Sequence, residues 1–230
     1  ALVDSLGVKK LVATAGASGG SLQAMEWAAA YPDFVERVVH VIGPGLDITP
    51  FVVGLLDIWM MPIRLDPRWK GGDYFGGEEP REGVAQALKT VTLTALAHGW
   101  AERVHGYKWA AGEKNPLDAM GNLFAIEDSL YKTGLARAAG TDAANFVWMA
   151  KANQLYNLEK EQSRIKAKVL FAPAKTDMIF PPELSRKWAD KLRAQGNHVE
   201  VFEIEGTNGH LDGILSIAKA GEAIRAFIEK

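Results

Sequence analysis

The chain has no cysteine among its 230 residues, which removes disulfides, thiolate metal sites and a cysteine nucleophile together. It also has no excess of either charge. Lys and Arg number 26 against 28 Asp and Glu, a formal net charge of −2, with both signs interspersed. That balance offers no electrostatic footprint for nucleic acid. Long apolar runs are missing too. The most apolar window, ITPFVVGLLDIWMMPI, is interrupted by Gly54, Asp57, Pro50 and Pro62. It falls short of the roughly 18 uninterrupted apolar residues of a membrane span, so it reads as a buried or pocket-lining helix and no membrane partner is expected. An initiator Met and a signal peptide are both absent from the start, ALVDSLGVKK, where Leu2, Val3 and Leu6 share a helix face that Gly7 stops. The expectation is that an N-terminal segment is missing and that the chain needs it.

What is present is a globular composition, 48% hydrophobic and 23% charged. KKLVATAG is a short β-prone run, and ERVVHVIG repeats the design after the helical AMEWAAAYPDF. Strand, helix, strand implies a parallel pair. The signature returns near the end: AKVLFAPA as a strand, PPELSRKWADKLRAQG as a helix with Pro at its start and Gly196 as its stop, HVEVFEIEG as a strand, then GILSIAKAGEAIRAFIEK as one terminal amphipathic helix. Between them no strand run stands out, and helical stretches such as REGVAQALKTVTLTALAHGWAERV and DAANFVWMAKANQLYNL dominate. Five of the seven tryptophans (Trp59, Trp69, Trp100, Trp109, Trp148) fall in this middle part, which suggests an apolar, mostly dry pocket, with core packing as their other reading. The expected organisation is an α/β fold with a parallel sheet, residues 1–45 and 165–230 forming the core and 46–164 an inserted helical cap.

The stretch TAGASGGSLQAMEW, Thr14 to Trp27, places Ser18 between a strand and a helix among small residues. This fits the nucleophile elbow, Gly-x-Ser-x-Gly, whose serine sits in a strained conformation costing about 1–3 kcal/mol. On that reading Gly16 and Gly20 are glycine because side chains there would collide in the tight strand-to-helix turn. The pattern alone is weak, since a Gly-rich turn at a helix start can instead cradle a phosphate. A phosphate site would want a cation beside the turn, whereas Lys9 and Lys10 lie at the far end of the strand.

A serine hydroxyl needs a base to take its proton and a third group to orient that base. On this fold the order is serine, acid, histidine, each from a loop after a strand. Asp177, in APAKTDMIFPPE, follows AKVLFAP; His210, in EGTNGHLDG, follows HVEVFEIE. The Gly19 backbone N–H, next to the nucleophile, is the candidate oxyanion donor. Asp212 is a candidate substrate contact, with helix capping as its other reading. Of the remaining histidines, His40 is placed mid-strand, His98 and His105 on one exposed helix face, and His198 at the surface; no metal site is expected. Glu26 and Trp27, on the elbow helix, read as solvated surface and core packing.

With these residues in hand, the chain resembles the homoserine O-acetyltransferase family of α/β-hydrolase-fold enzymes, most strongly at GASGGSLQAMEWAAAYPD, TDMIFPPELS and GHLDGIL. Gln23, Glu26 and Trp27 match that family's Gln-Ala-x-Glu-Trp after the nucleophile, and Ser18, Asp177 and His210 carry over as nucleophile, acid and base. The resemblance implies an α/β-hydrolase fold of which only the C-terminal part of the sheet is here, so that a second oxyanion donor, from a loop after an early strand, is missing. It implies a serine-dependent acyltransferase moving an acyl group to a small hydroxyl acceptor, with acetyl-CoA or a similar acyl-CoA as co-substrate and no bound cofactor. A homodimer through the cap and a cytoplasmic location are further expectations. Ser21 stands where the family has a glycine, Leu211 where it has an aspartate directly after the histidine, and the arginine-bearing stretch for gripping an amino-acid acceptor is not recognisable. These departures bear on homoserine as acceptor, not on acyl-enzyme chemistry. Transfer to water, which makes the chain an esterase, is the alternative; a non-catalytic ligand-binding protein is the other, and nothing about ligand binding alone requires all three triad residues.

Overall fold

The computed structural model describes residues 2–229. It divides into two compact units, Ala1–Thr49 with Leu155–Lys230, and Pro50–Gln154. The division lies inside the boundaries expected from the sequence, at 49/50 and 154/155 rather than 45/46 and 164/165. The reason is packing. Leu46, Tyr156 and Leu158 are buried in the core of the first unit, and Leu158 N–H donates to the Leu46 carbonyl at 2.6 Å.

In the first unit the elements are α1 (Leu2–Ser5), β1 (Thr14–Ala17), α2 (Gly19–Ala30) and β2 (Arg37–Val41) before the insertion. The strands run in parallel, with Gly16 opposite His40 and Ala17 opposite Val41. β1 is shorter than KKLVATAG suggests. Leu11 does exchange hydrogen bonds with Phe34 and Glu36, but the chain bends at the exposed Val12 and regular pairing resumes only at Thr14.

The insertion occupies its own core. α3 (Pro50–Leu65), α4 (Arg81–Ala95), α5 (His98–Val104), α6 (Ala125–Ala138) and α7 (Ala143–Gln154) make it up, with Ile63, Trp69, Tyr74, Val84 and Leu88 at its centre. The stretch from Arg81 to Val104, read as continuously helical, breaks where Leu96 and Ala97 take extended backbone; both are buried, so packing overrides helix propensity there. α4 and α6 touch closely because Gly134 has no side chain: a Cβ there would lie 2.3 Å from the Ala85 carbonyl oxygen. Asp66 accepts the Gly83 N–H at 2.9 Å, satisfying a first-turn donor of α4 from outside the helix.

After the insertion come β3 (Lys168–Ala172), α8 (Pro182–Ala194), β4 (Val199–Val201), α9 (Asp212–Leu215) and α10 (Gly221–Glu229). The sheet is parallel in the order β1-β2-β3-β4. One face packs Val38, Val169 and Phe171 against Met25 of α2 and Trp188 of α8. The other packs Val39, Leu170 and Ala172 against Phe227 of α10. Burial on both faces is why these strands read as unbroken apolar runs rather than alternating ones. The terminal segment is not one helix: it breaks at Ser216, whose hydroxyl is drawn to the Asp212 carboxylate at 2.8 Å.

Candidate functional site

The site is assembled at the carboxyl ends of three strands of the first unit. Ser18 follows β1 directly and has φ 54° and ψ −123°, a left-handed region that costs a residue with a Cβ. What holds it there is local and specific. Its N–H donates to the Val41 carbonyl at 3.0 Å, and its own carbonyl accepts the Ser21 N–H at 2.8 Å and the Ser21 hydroxyl at 2.5 Å. Gly16 is sterically required: a Cβ there would lie 2.1 Å from the Gly20 carbonyl oxygen. Gly20 is not, for a Cβ on it meets nothing within 4 Å. The elbow pattern points to a collision at both glycines; it belongs to Gly16 alone, because it is the backbone of the α2 first turn at Gly20 that Gly16 must approach.

Asp177 and His210 come from the loops after β3 and β4. His210 Nε2 lies 2.8 Å from Ser18 Oγ, and its Nδ1 lies 2.7 Å from Asp177 Oδ2. A carboxylate on Nδ1 fixes the proton there and leaves the Nε2 lone pair for the serine O–H. The other Asp177 oxygen accepts the N–H groups of Ile179 (2.8 Å) and Phe180 (3.0 Å). Asp177 and His210 are 4% and 7% exposed, so their hydrogen bonds lie out of bulk water, where they are electrostatically stronger. Phe180 packs edge-on against the imidazole, centroids 5.7 Å apart. The Gly19 N–H opens α2, in the first turn where backbone donors have no intrahelical acceptor.

The residues that hold these three in place carry no motif in the sequence. Thr176 Oγ accepts the Gly209 N–H at 3.1 Å and donates to the Gly206 carbonyl at 3.4 Å, tying the acid loop to the base loop. Ser21 is fully buried and fits only because Gly43 faces it, where a Cβ would fall 2.0 Å from Ser21 Oγ. A glycine two residues beyond β2 was the signal available. Asp212 differs from its expected place at the substrate: it is 0% exposed and its carboxylate is engaged by Asn208 and Ser216. Its oxygens are occupied by the donors of its own loop.

Other expectations resolve outside the site. His40 is fully buried in β2 and stands edge-on to Phe171 at 5.0 Å. His198 is exposed beside Glu200. His98 and His105 do not share an exposed face: His98 is exposed, whereas His105 is buried edge-on against Trp100. Trp27 packs against Tyr31 and Phe34, and burial nudges the Glu26 carboxyl above its usual range, with Glu161 adding to it. Inside the insertion, Trp69 and Trp148 line a cavity of about 790 Å³ with Met60, Phe75, Arg64 and Asp57. No helix among the described residues is long and apolar enough to cross a membrane.

A family model described as the alpha/beta hydrolase fold matches residues 1–214. The homoserine O-acetyltransferase of Symbiobacterium thermophilum is 30% identical over 239 residues, an alignment that takes in 100% of this chain and 61% of that protein. Among solved structures, an esterase is 34% identical with a TM-score of 0.91, over 99% of this chain and 63% of the other. The homoserine O-acetyltransferase from Bacillus anthracis is 30% identical with a TM-score of 0.91, over 100% and 62%. The chain thus spans between 61% and 63% of the length of these relatives.

Proposed function

This chain belongs to the alpha/beta hydrolase fold family, and from that footing we propose that it performs serine-dependent acyl transfer through an acyl-enzyme on Ser18. The observation that carries the proposal is the hydrogen-bonded line from Ser18 Oγ through His210 to Asp177, at 2.8 Å and 2.7 Å. His210 Nε2 takes the Ser18 proton as Oγ attacks the carbonyl carbon of an ester or thioester. The Gly19 N–H receives the developing oxyanion, a kind of contact worth about 10²–10³ in rate. As the intermediate collapses, His210 gives that proton to the leaving alcohol or thiol and the acyl group remains on Ser18. His210 then deprotonates the acceptor, whose oxygen attacks the acyl-serine; as the acyl–Oγ bond breaks, His210 returns that proton to Ser18 Oγ and both residues regain their starting state.

In this reading the acceptor is a small hydroxyl compound and the group moved an acetyl, as the names of the acetyltransferase relatives suggest, and the donor is taken to be a thioester of the acetyl-CoA class. A second reading, with water as acceptor, is favoured by a specific observation. Leu211 follows His210, and the neighbouring Asp212 is buried and engaged within its loop, so no carboxylate immediately after the base is available to receive the ammonium of an amino-acid acceptor. The similarity to an esterase agrees with it.

The test is release of free CoA from acetyl-CoA with and without L-homoserine, alongside hydrolysis of a p-nitrophenyl acetate, for the protein and its Ser18→Ala variant. Homoserine-dependent CoA release supports the transferase; ester hydrolysis indifferent to homoserine supports the esterase. Ser18→Ala is expected to abolish both activities and covalent labelling by a serine-directed phosphonate while the far-UV dichroism is unchanged. Labelling that survives the substitution overturns the assignment of Ser18.

A further inference from the structure

Asp212 is a fully buried carboxylate two residues from the base, and no step above uses it. Burying a carboxylate is costly unless its oxygens are met by donors, and here each is. Oδ2 accepts the Asn208 N–H at 2.8 Å. Oδ1 accepts the Asn208 side-chain amide at 3.0 Å and the Ser216 hydroxyl at 2.8 Å. The chain at Gly206 crosses flat against the carboxylate, where a Cβ would fall 2.1 Å from its carbon. One side chain therefore grips the segment four residues before itself and four residues after, with His210 inside the span. Neither a neutral amide nor an alcohol reproduces this pattern: an asparagine puts its own N–H₂ against one of these donors. Thr176 holds the same segment from the acid loop, through Gly209 and Gly206.

We propose that Asp212 is a positioning residue for His210. By closing the segment from Asn208 to Ser216 it holds the imidazole with Nε2 toward Ser18 and Nδ1 on Asp177. The consequence for catalysis rests on the acyl-enzyme reading above; the geometric part does not.

Two readouts separate them. The first is steady-state hydrolysis of p-nitrophenyl acetate by the Asp212→Asn and Ser216→Ala variants, with kcat expressed per serine titrated by phosphonate so that a mere loss of folded protein cancels. A shift of the base of about 1 Å is worth up to about a hundredfold in rate. The expectation for Asp212→Asn is a kcat lower by about ten- to a hundredfold with KM changed by less than about threefold. Ser216→Ala, which removes one of the three donors and leaves the charge, is the milder variant and is expected to lower kcat in the same sense, by about three- to tenfold. The second readout needs no substrate: the low-field proton resonance of the His210 Nδ1–H in folded protein. It is expected to persist in Ser18→Ala and to shift or broaden away in Asp212→Asn, or in Ser216→Ala where Asp212→Asn does not fold. An unchanged resonance together with unchanged kcat per titrated serine overturns the proposal. A resonance that responds in a protein that neither hydrolyses the ester nor takes the phosphonate label at Ser18 upholds the positioning role and sinks the acyl-enzyme reading instead.

Discussion

His40 sits in β2 opposite Gly16 and Phe171, one strand away from the nucleophile. Its ring is fully buried and neither nitrogen makes a hydrogen bond of normal geometry. Burial pulls its pKa down to about 4, against smaller upward pulls from the Gly45 backbone and its own. The unfolded chain takes up a proton here near the ordinary value of 6.5, so between these two values the unfolded state holds more protons than the native one. Stability from this group is therefore complete above the unfolded value and falls as pH drops toward the native one. Going from about pH 7 to about pH 4.5, that loss comes to about 2 kcal/mol. Urea unfolding of the protein and of His40→Leu at both pH values checks it: the variant is expected to lack that share of the acid loss. Equal losses in the two proteins mean that acid acts elsewhere, on groups other than His40.

At the scale of the element, the elbow shows how much one steric contact decides. The turn from β1 into α2 closes because Gly16 lets the Gly20 carbonyl approach, and the two glycines are unequal partners in it. Gly16→Ala forces a Cβ into backbone that cannot give, so a loss of at least about 1–3 kcal/mol is expected, with loss of phosphonate labelling. Gly20→Ala places a methyl in open space on a helix, where alanine is better than glycine by about 0.5–1 kcal/mol. It is expected to keep or raise the melting temperature. Thermal melts of both variants decide; a Gly20→Ala protein as damaged as Gly16→Ala returns the collision to both positions. The strand, the turn and the order of Ser18, Asp177 and His210 were legible in the sequence because each depends on local pattern: apolar runs, crowded small residues, a polar loop after a strand. What was hidden depends on which side chains the folded loops bring together. Nothing in the sequence around Ser216 announces a helix break, since it rests on the Asp212 carboxylate, itself held by Asn208, drawing the Ser216 hydroxyl. Thr176 looks like any loop threonine until the β4 loop is folded against it.

For the whole molecule, the feature that matters is that the insertion enters and leaves the α/β unit at one place. Ile48 N–H donates to the Tyr156 carbonyl, Leu158 N–H to the Leu46 carbonyl, and Asp47 bridges Asn157 in antiparallel fashion. This short ladder is tied into the sheet layer by Trp188, whose indole N–H donates to Asp47 at 2.6 Å, and by Tyr156, whose hydroxyl donates to the Gly45 carbonyl at 2.9 Å. The sequence boundary at residue 45 cut through it, because Leu46 and Ile48 carry no strand pattern of their own. The triad, its loops and both sheet-facing cores lie in the α/β unit, while Pro50–Gln154 has a core of its own. Replacing Pro50–Gln154 with a short Asn-Gly turn, the connection that antiparallel neighbours favour, is therefore expected to leave the elbow assembled. The shortened protein should still be labelled by phosphonate at Ser18. If acceptor choice depends on residues of the insertion, the same protein should hydrolyse p-nitrophenyl acetate yet show no preference for an added alcohol over water. An alcohol-to-water partition ratio equal to that of the parent places acceptor choice in the α/β unit, and the loops after β3 and β4 become where specificity is to be sought.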